Sequence, residues 1–244
     1  MNRLKVIIYS IGSIAIFSLY ISCTKQTPQV ASSENNFNNS ASVQVFDAIV
    51  KSAKNYIYVD GIPVSGAALS YGGVFPATAY SFKVNAGTRS FLIKDTSSGT
   101  MQVPLIFSQN MTAGKSYTIF TYDTITSVKQ LTVLNNIVIP SDTTCRLRFA
   151  NFIYDSVTVS NVDVYSFRKG ISAPIFTNVA TAQVTDFISY AAGLSDTLYV
   201  YASGTTSPLL VKSLVPSLTQ TRSYTAAYTG SYWGKHSIAT FATY

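Results

Sequence analysis

The sequence predicts an all-β chain, and three observations carry that expectation. Ser (32) and Thr (27), with many Val, Ile, Tyr and Phe, stand where strong helix formers would be, and Glu occurs once, at Glu34. Apolar and polar residues alternate in short runs, as at Tyr80, Phe82 and Val84, at Leu147 and Phe149, and at Leu198 and Val200. Turn signals separate these runs at Asp60-Gly61, Gly72-Gly73, Ala86-Gly87, Ser97-Ser98-Gly99, Ala192-Gly193 and Ser203-Gly204. No stretch keeps a helical period over three turns. With 244 residues, 47% apolar and only 11% charged, the chain can bury one large core or two small ones, which excludes a charge-rich disordered protein.

The first element is an address. Arg3 and Lys5 precede a mostly apolar run, Val6 to Ile21, of 16 residues that ends at Ser22-Cys23. That is the layout of a secretory signal: the run falls short of the roughly 18 to 20 apolar residues of a spanning helix, and Ser10, Gly12, Ser13 and Ser18 dilute it further. The alternatives are an uncleaved anchor or ordinary cleavage with Cys23 incidental. The junction Leu19-Tyr20-Ile21-Ser22-Cys23 resembles a bacterial lipoprotein signal, with Tyr20 where a Leu is usual. The resemblance implies that residues 1–22 are removed and that Cys23, now first, carries the lipid. Several acyl chains then hold the protein far more firmly than one could. Cys145 is left alone and reads as a small strand residue.

Residues 23–41 follow as a polar, low-complexity tether. The chain bears a general resemblance to lipoproteins of the Bacteroidetes, in which acidic residues after the Cys often accompany surface display. Thr24-Lys25-Gln26 has none, which favours the periplasmic side of the outer membrane. Without residues 1–22 the chain keeps 15 basic and 10 acidic residues, a net charge of +5. The basic residues stand in scattered pairs such as Arg146 with Arg148, expected on a solvated surface, and no run of them suggests nucleic acid.

The body reads as two similar halves, residues 42–141 and 142–244, each the size of an immunoglobulin-like β-sandwich. Phe46 aligns with Phe149, Ile57-Tyr58 with Val164-Tyr165, Ala86-Gly87 with Ala192-Gly193, and Lys115-Ser116-Tyr117-Thr118 with Arg222-Ser223-Tyr224-Thr225. Tyr56-Ile57-Tyr58-Val59-Asp60-Gly61 and Val162-Asp163-Val164-Tyr165 resemble the strand-and-turn motif of the bacterial domain of unknown function 4397. The Ala113–Thr118 segment and the run Arg146-Leu147-Arg148-Phe149-Ala150-Asn151 resemble it too. That likeness implies an exported protein with tandem copies and brings no activity with it. The family's usual Ser-Pro-Asp-Ala-Pro stretch is replaced by Phe46-Asp47-Ala48-Ile49 and Asn151-Phe152-Ile153-Tyr154.

Enzyme signatures are sparse. The one His, His236, gives no metal cluster, Glu34 sits in the tether, and no nucleophile elbow or phosphate loop occurs. Neither a cofactor nor a metal is implied. Acid–base chemistry would have to use two of nine Asp, several of which stand at turns, while Asp155 and Asp163 could meet in space. The least ordinary stretch is Tyr228 to His236, a loop with the only Trp, where Tyr232 and Trp233 are the candidate ligand contacts. His236 is expected to be exposed. The reading is a non-enzymatic, lipid-anchored envelope protein for binding, adhesion or structure. Its alternatives are a glycan-binding accessory lipoprotein of a polysaccharide-uptake system and, behind that, an Asp-based hydrolase. Its partners are the membrane through the lipid, and a glycan or envelope protein.

Overall fold

A computed structural model describes residues 39–154, 160–231 and 234–244, which belong to one compact unit. The first half holds β1 (Ser40–Val50), β2 (Asn55–Val59), β3 (Ile62–Pro63), β4 (Val74–Phe75), β5 (Phe82–Asn85), β6 (Gly87–Asp95), β7 (Leu105–Met111), β8 (Ser116–Thr124) and β9 (Lys129–Leu134). The second holds β10 (Thr144–Tyr154), β11 (Val162–Ser166), β12 (Phe176–Val179), β13 (Gln183–Val184), β14 (Ile188–Ala191), β15 (Asp196–Ala202), β16 (Leu209–Val215), β17 (Ser223–Ser231) and β18 (Ser237–Ala242). The chain is all-β, two sandwiches in tandem.

Strand order is the same in both. One sheet runs β4-β1-β8-β9 and faces β3-β2-β6-β7; its counterpart β13-β10-β17-β18 faces β12-β11-β15-β16. β5 and β14 continue the edges that β4 and β13 begin. The central pairs, β1 with β8 and β10 with β17, are parallel. A parallel pair needs a long crossover, and here the rest of each sandwich supplies it. Locally, Asp60 and Gly61 both take positive φ, the two-residue turn that closes β2 on β3, and Pro63 sits in that edge strand where its missing N–H costs no ladder bond. Tyr117 Oη accepts from the Thr112 N–H at 3.2 Å, and Tyr224 Oη from the Thr219 N–H at 3.0 Å. The repeated segment therefore carries a repeated hydrogen bond.

Register corrects one alignment. Ser42 pairs with Ser116 and Arg146 with Ser223, so Phe46 corresponds to Ala150 and Val45 to Phe149. A slip of one residue exchanges the two faces of a strand. Phe149 points into the core of its own sandwich, whereas Phe46 points away from it.

Those outward faces meet. Val43, Val45, Ile57, Phe91 and Ile119 fill the first sandwich, and Leu147, Phe149, Val164, Leu198 and Val200 the second. A third core joins Phe46, Ala48 and Phe120 to Ala150, Phe152, Ala227 and Phe241. Phe120 stacks on Phe152 with centroids 4.7 Å apart, and Phe46 on Phe241 at 5.1 Å. The halves thus share a seam, and the central strands are buried on both faces.

Candidate functional site

Cys23, Tyr232, Trp233 and Asp155 lie outside the described residues. The residues on either side of Tyr232 and Trp233 are described. Gly230 takes φ +138°, and a Cβ there would come within 2.6 Å of the Lys235 carbonyl oxygen, so the chain doubles back where only glycine fits. His236 is half-buried rather than exposed: its Nδ1 lies 2.8 Å from Tyr228 Oη, because the turn brings it over that ring. At the C-terminal ends of β1, β8, β10 and β17, a hollow of about 480 Å³ is lined by Lys51, Met101, Ile125, Tyr154 and Ser231.

The buried and half-buried aspartates are engaged by hydrogen bonds, Asp163 among them. Asp163 accepts from the Asn178 and Gly204 N–H groups and from Ser203; burial pushes its carboxyl up, but these bonds outweigh it and hold it below the usual range. Asp196 takes Ser166, Tyr190 and two backbone N–H groups with the same net result. Asp47 differs: burial dominates and raises it, against bonds from Ile49, Asn55, Ser52 and Thr121. Cys145 is a buried strand residue whose thiol burial pushes up to about 11, which removes its nucleophilic form at neutral pH.

The side chains that stand out are at the seam. Arg146 and Arg148 share the outward face of β10, and Arg148 is only 2% exposed, against the expectation of a solvated pair. Its Nε donates to Thr225 Oγ1 at 2.9 Å and its Nη2 to Thr118 Oγ1 at 3.1 Å, so it bridges the two sheets. The guanidinium lies over Phe187 at 4.7 Å and over Phe120 at 5.9 Å. No carboxylate pairs with it among the described residues, where the ion pairs are Arg89–Asp60 and Lys129–Asp123. Burial alone pulls its pKa down to about 9.

Both arginines line an open cleft of about 440 Å³ between β9 with the following linker and the β13–β14 edge. Leu134, Val138 and Phe187 supply apolar walls; Asn136, Thr185 and Ser189 supply hydrogen-bonding groups, and Asp186 stands exposed on its lining. The matching end of the seam is capped. There Gln44, the counterpart of Arg148, donates to the Ala242 carbonyl at 2.9 Å. The link from β4 to β5 is six residues, against three from β13 to β14, and its Tyr80 packs on Tyr244 with Arg222 over both rings. Sequence reasoning missed this cleft because Arg148 alternates with Leu147 and Phe149 as a surface residue would. The available signal was on its own face, where Ala150 and Phe152 are apolar.

No protein-family model matches the sequence, and no curated protein does. Among solved structures the chain is similar to the carbohydrate-binding module CBMbc (family CBM26) of Eubacterium rectale Amy13K, solved in complex with maltoheptaose. Identity is 13%, the match covers 82% of this chain and 95% of that one, and the TM-score is 0.27. A likeness of that size is one between strand-rich chains and carries nothing about a ligand.

Proposed function

We propose that the chain is a non-enzymatic envelope lipoprotein, anchored through Cys23, that binds a glycan in the seam cleft. Its halves would be tandem relatives of the domain of unknown function 4397, held on the periplasmic side of the outer membrane by the residue 23–41 tether. The observation that supports the binding role is the asymmetry of the seam: two pseudo-equivalent ends, one capped by Tyr80 and Tyr244, the other left open over charged and hydroxyl-bearing side chains. A polyhydroxylated ring with C–H faces suits a wall that mixes Asn136, Thr185 and Ser189 with Val138 and Phe187. The described aspartates other than Asp186 are engaged in turns, hydrogen-bond networks or ion pairs, and no second carboxylate faces Asp186 across the cleft, so binding is favoured over hydrolysis.

The test is a saccharide panel offered to the full chain in detergent, with Phe187→Ala and Trp233→Ala alongside. Loss of affinity by about five- to a hundredfold in Phe187→Ala, with melting little changed, supports the cleft. The same loss in Trp233→Ala alone moves the site to the Tyr232–Trp233 loop. A panel in which no saccharide binds overturns the glycan reading.

A further inference from the structure

Arg148 is costly where it stands. A buried charge without a counter-ion is among the most unfavourable groups a fold can hold, and the same position in the first half is the neutral Gln44, which ties the seam by a single hydrogen bond. Arg146 likewise replaces Ser42. Neither cation is needed to close the seam, whose packing is done by Phe46, Phe120, Phe152 and Phe241. Two hydroxyls and two aromatic faces engage the Arg148 guanidinium, but its Nη1 makes no hydrogen bond to any described residue. Thr118 also donates to Asn135 Oδ1 at 3.1 Å, and Thr225 lies 2.7 Å from Thr243 Oγ1, so the side chain is held from behind. A rigid, desolvated guanidinium on the wall of an open cleft, with a second two residues along the same strand face, is complementary to a planar anion.

We propose that the ligand of the cleft is an acidic saccharide whose uronate carboxylate sits on Arg148 and Arg146. This rests on the glycan reading above and names the class of glycan. Asn136, Thr185 and Ser189 then meet the ring hydroxyls. Asp186 on the same lining accepts a hydrogen bond from a ring hydroxyl and disfavours a ligand of higher charge, which sets a carboxylate ahead of a phosphate.

The experiment compares uronate oligomers with their methyl esters, which keep the shape and remove the charge. Calorimetry on the full chain in detergent uses galacturonate and glucuronate oligomers, each ester, and a sulfated oligosaccharide. The acids are expected to bind at least about tenfold more tightly than the esters. Arg148→Met is expected to lose that advantage, so that acid and ester bind with similar affinity, at a melting temperature near that of the parent, since Thr118 and Thr225 keep their other partners. Arg146→Gln, at a half-exposed position, is expected to lose several-fold and decides the matter by itself if Arg148→Met does not fold. Equal binding of acid and ester overturns the proposal, as does acid binding unchanged in both variants, or binding of the sulfated chain in place of the carboxylates. Binding of neutral saccharides alone overturns it and leaves the glycan reading standing; silence across both panels overturns both.

Discussion

The two faces that form the seam come from equivalent strands and are opposites in shape. Where the first half carries Phe46, Ala48 and Phe120, the second carries Ala150, Phe152 and Ala227 at the same register positions. Leu131 and Val133 of β9 likewise answer to Ala239 and Phe241 of β18. At four of these five positions a large side chain of one half has a small one at the matching place in the other, and at the fifth Val133 answers to the larger Phe241. Two identical faces would have set Phe against Phe and Ala against Ala, leaving clashes and voids together; the exchange lets one half dock only on the other. A repeat can thus keep its internal core while its outer face diverges into a specific interface.

The sharpest way to break this comparison is Phe152→Ala. It removes the stack on Phe120 and the tilted contact with Tyr122, 5.3 Å between centroids, and leaves a cavity facing two small residues, Ala150 and Ala227. A loss of about 3–5 kcal/mol is expected in urea unfolding, with both halves falling in one transition because they share the core. Two separated transitions would show that the seam does not couple them.

Ala227→Phe tests the other side of the exchange by installing the residue that its counterpart Phe120 carries. There is no space for it against Phe120 and Phe152, so overpacking of about 1–3 kcal/mol is expected, read as a lower urea midpoint with β-sheet content retained. A neutral outcome would mean that the seam is loosely packed.

The smallest effect sharpens a polar difference. Asp47 of β1 answers to Asn151 of β10; each accepts the N–H two residues on, Ile49 at 2.9 Å and Ile153 at 3.2 Å. Asp47 also takes Ser52 and Asn55, each at 2.8 Å, and an amide at 47 would turn a donor toward Asn55. Asp47→Asn is expected to lose on the order of 1 kcal/mol at neutral pH. The dependence on pH is the firmer check. Burial raises the folded Asp47 above 3.8, so the native state takes up its proton first and this group adds stability as pH falls through its folded value toward 3.8. The gap between parent and variant should widen in favour of the parent from pH 7 toward pH 4. A gap that narrows would show Asp47 held as a stabilised carboxylate instead.

Strand content, the turns at Asp60-Gly61 and elsewhere, and the matching segments around Tyr117 and Tyr224 could all be read from residue order, because alternation and turn chemistry are local. The role of Cys145 as a buried small residue was readable for the same reason. Three things were decided by the tertiary structure. The register of β10 against β17 moved Phe46 onto Ala150, since a one-residue shift leaves composition unchanged while exchanging the faces. The burial of Arg148 followed from a second sheet arriving over its face, an event between residues distant in sequence such as Thr118 and Thr225. The cleft beside it exists because one link is three residues and its counterpart six, a difference that matters only once both ends of the seam are in place.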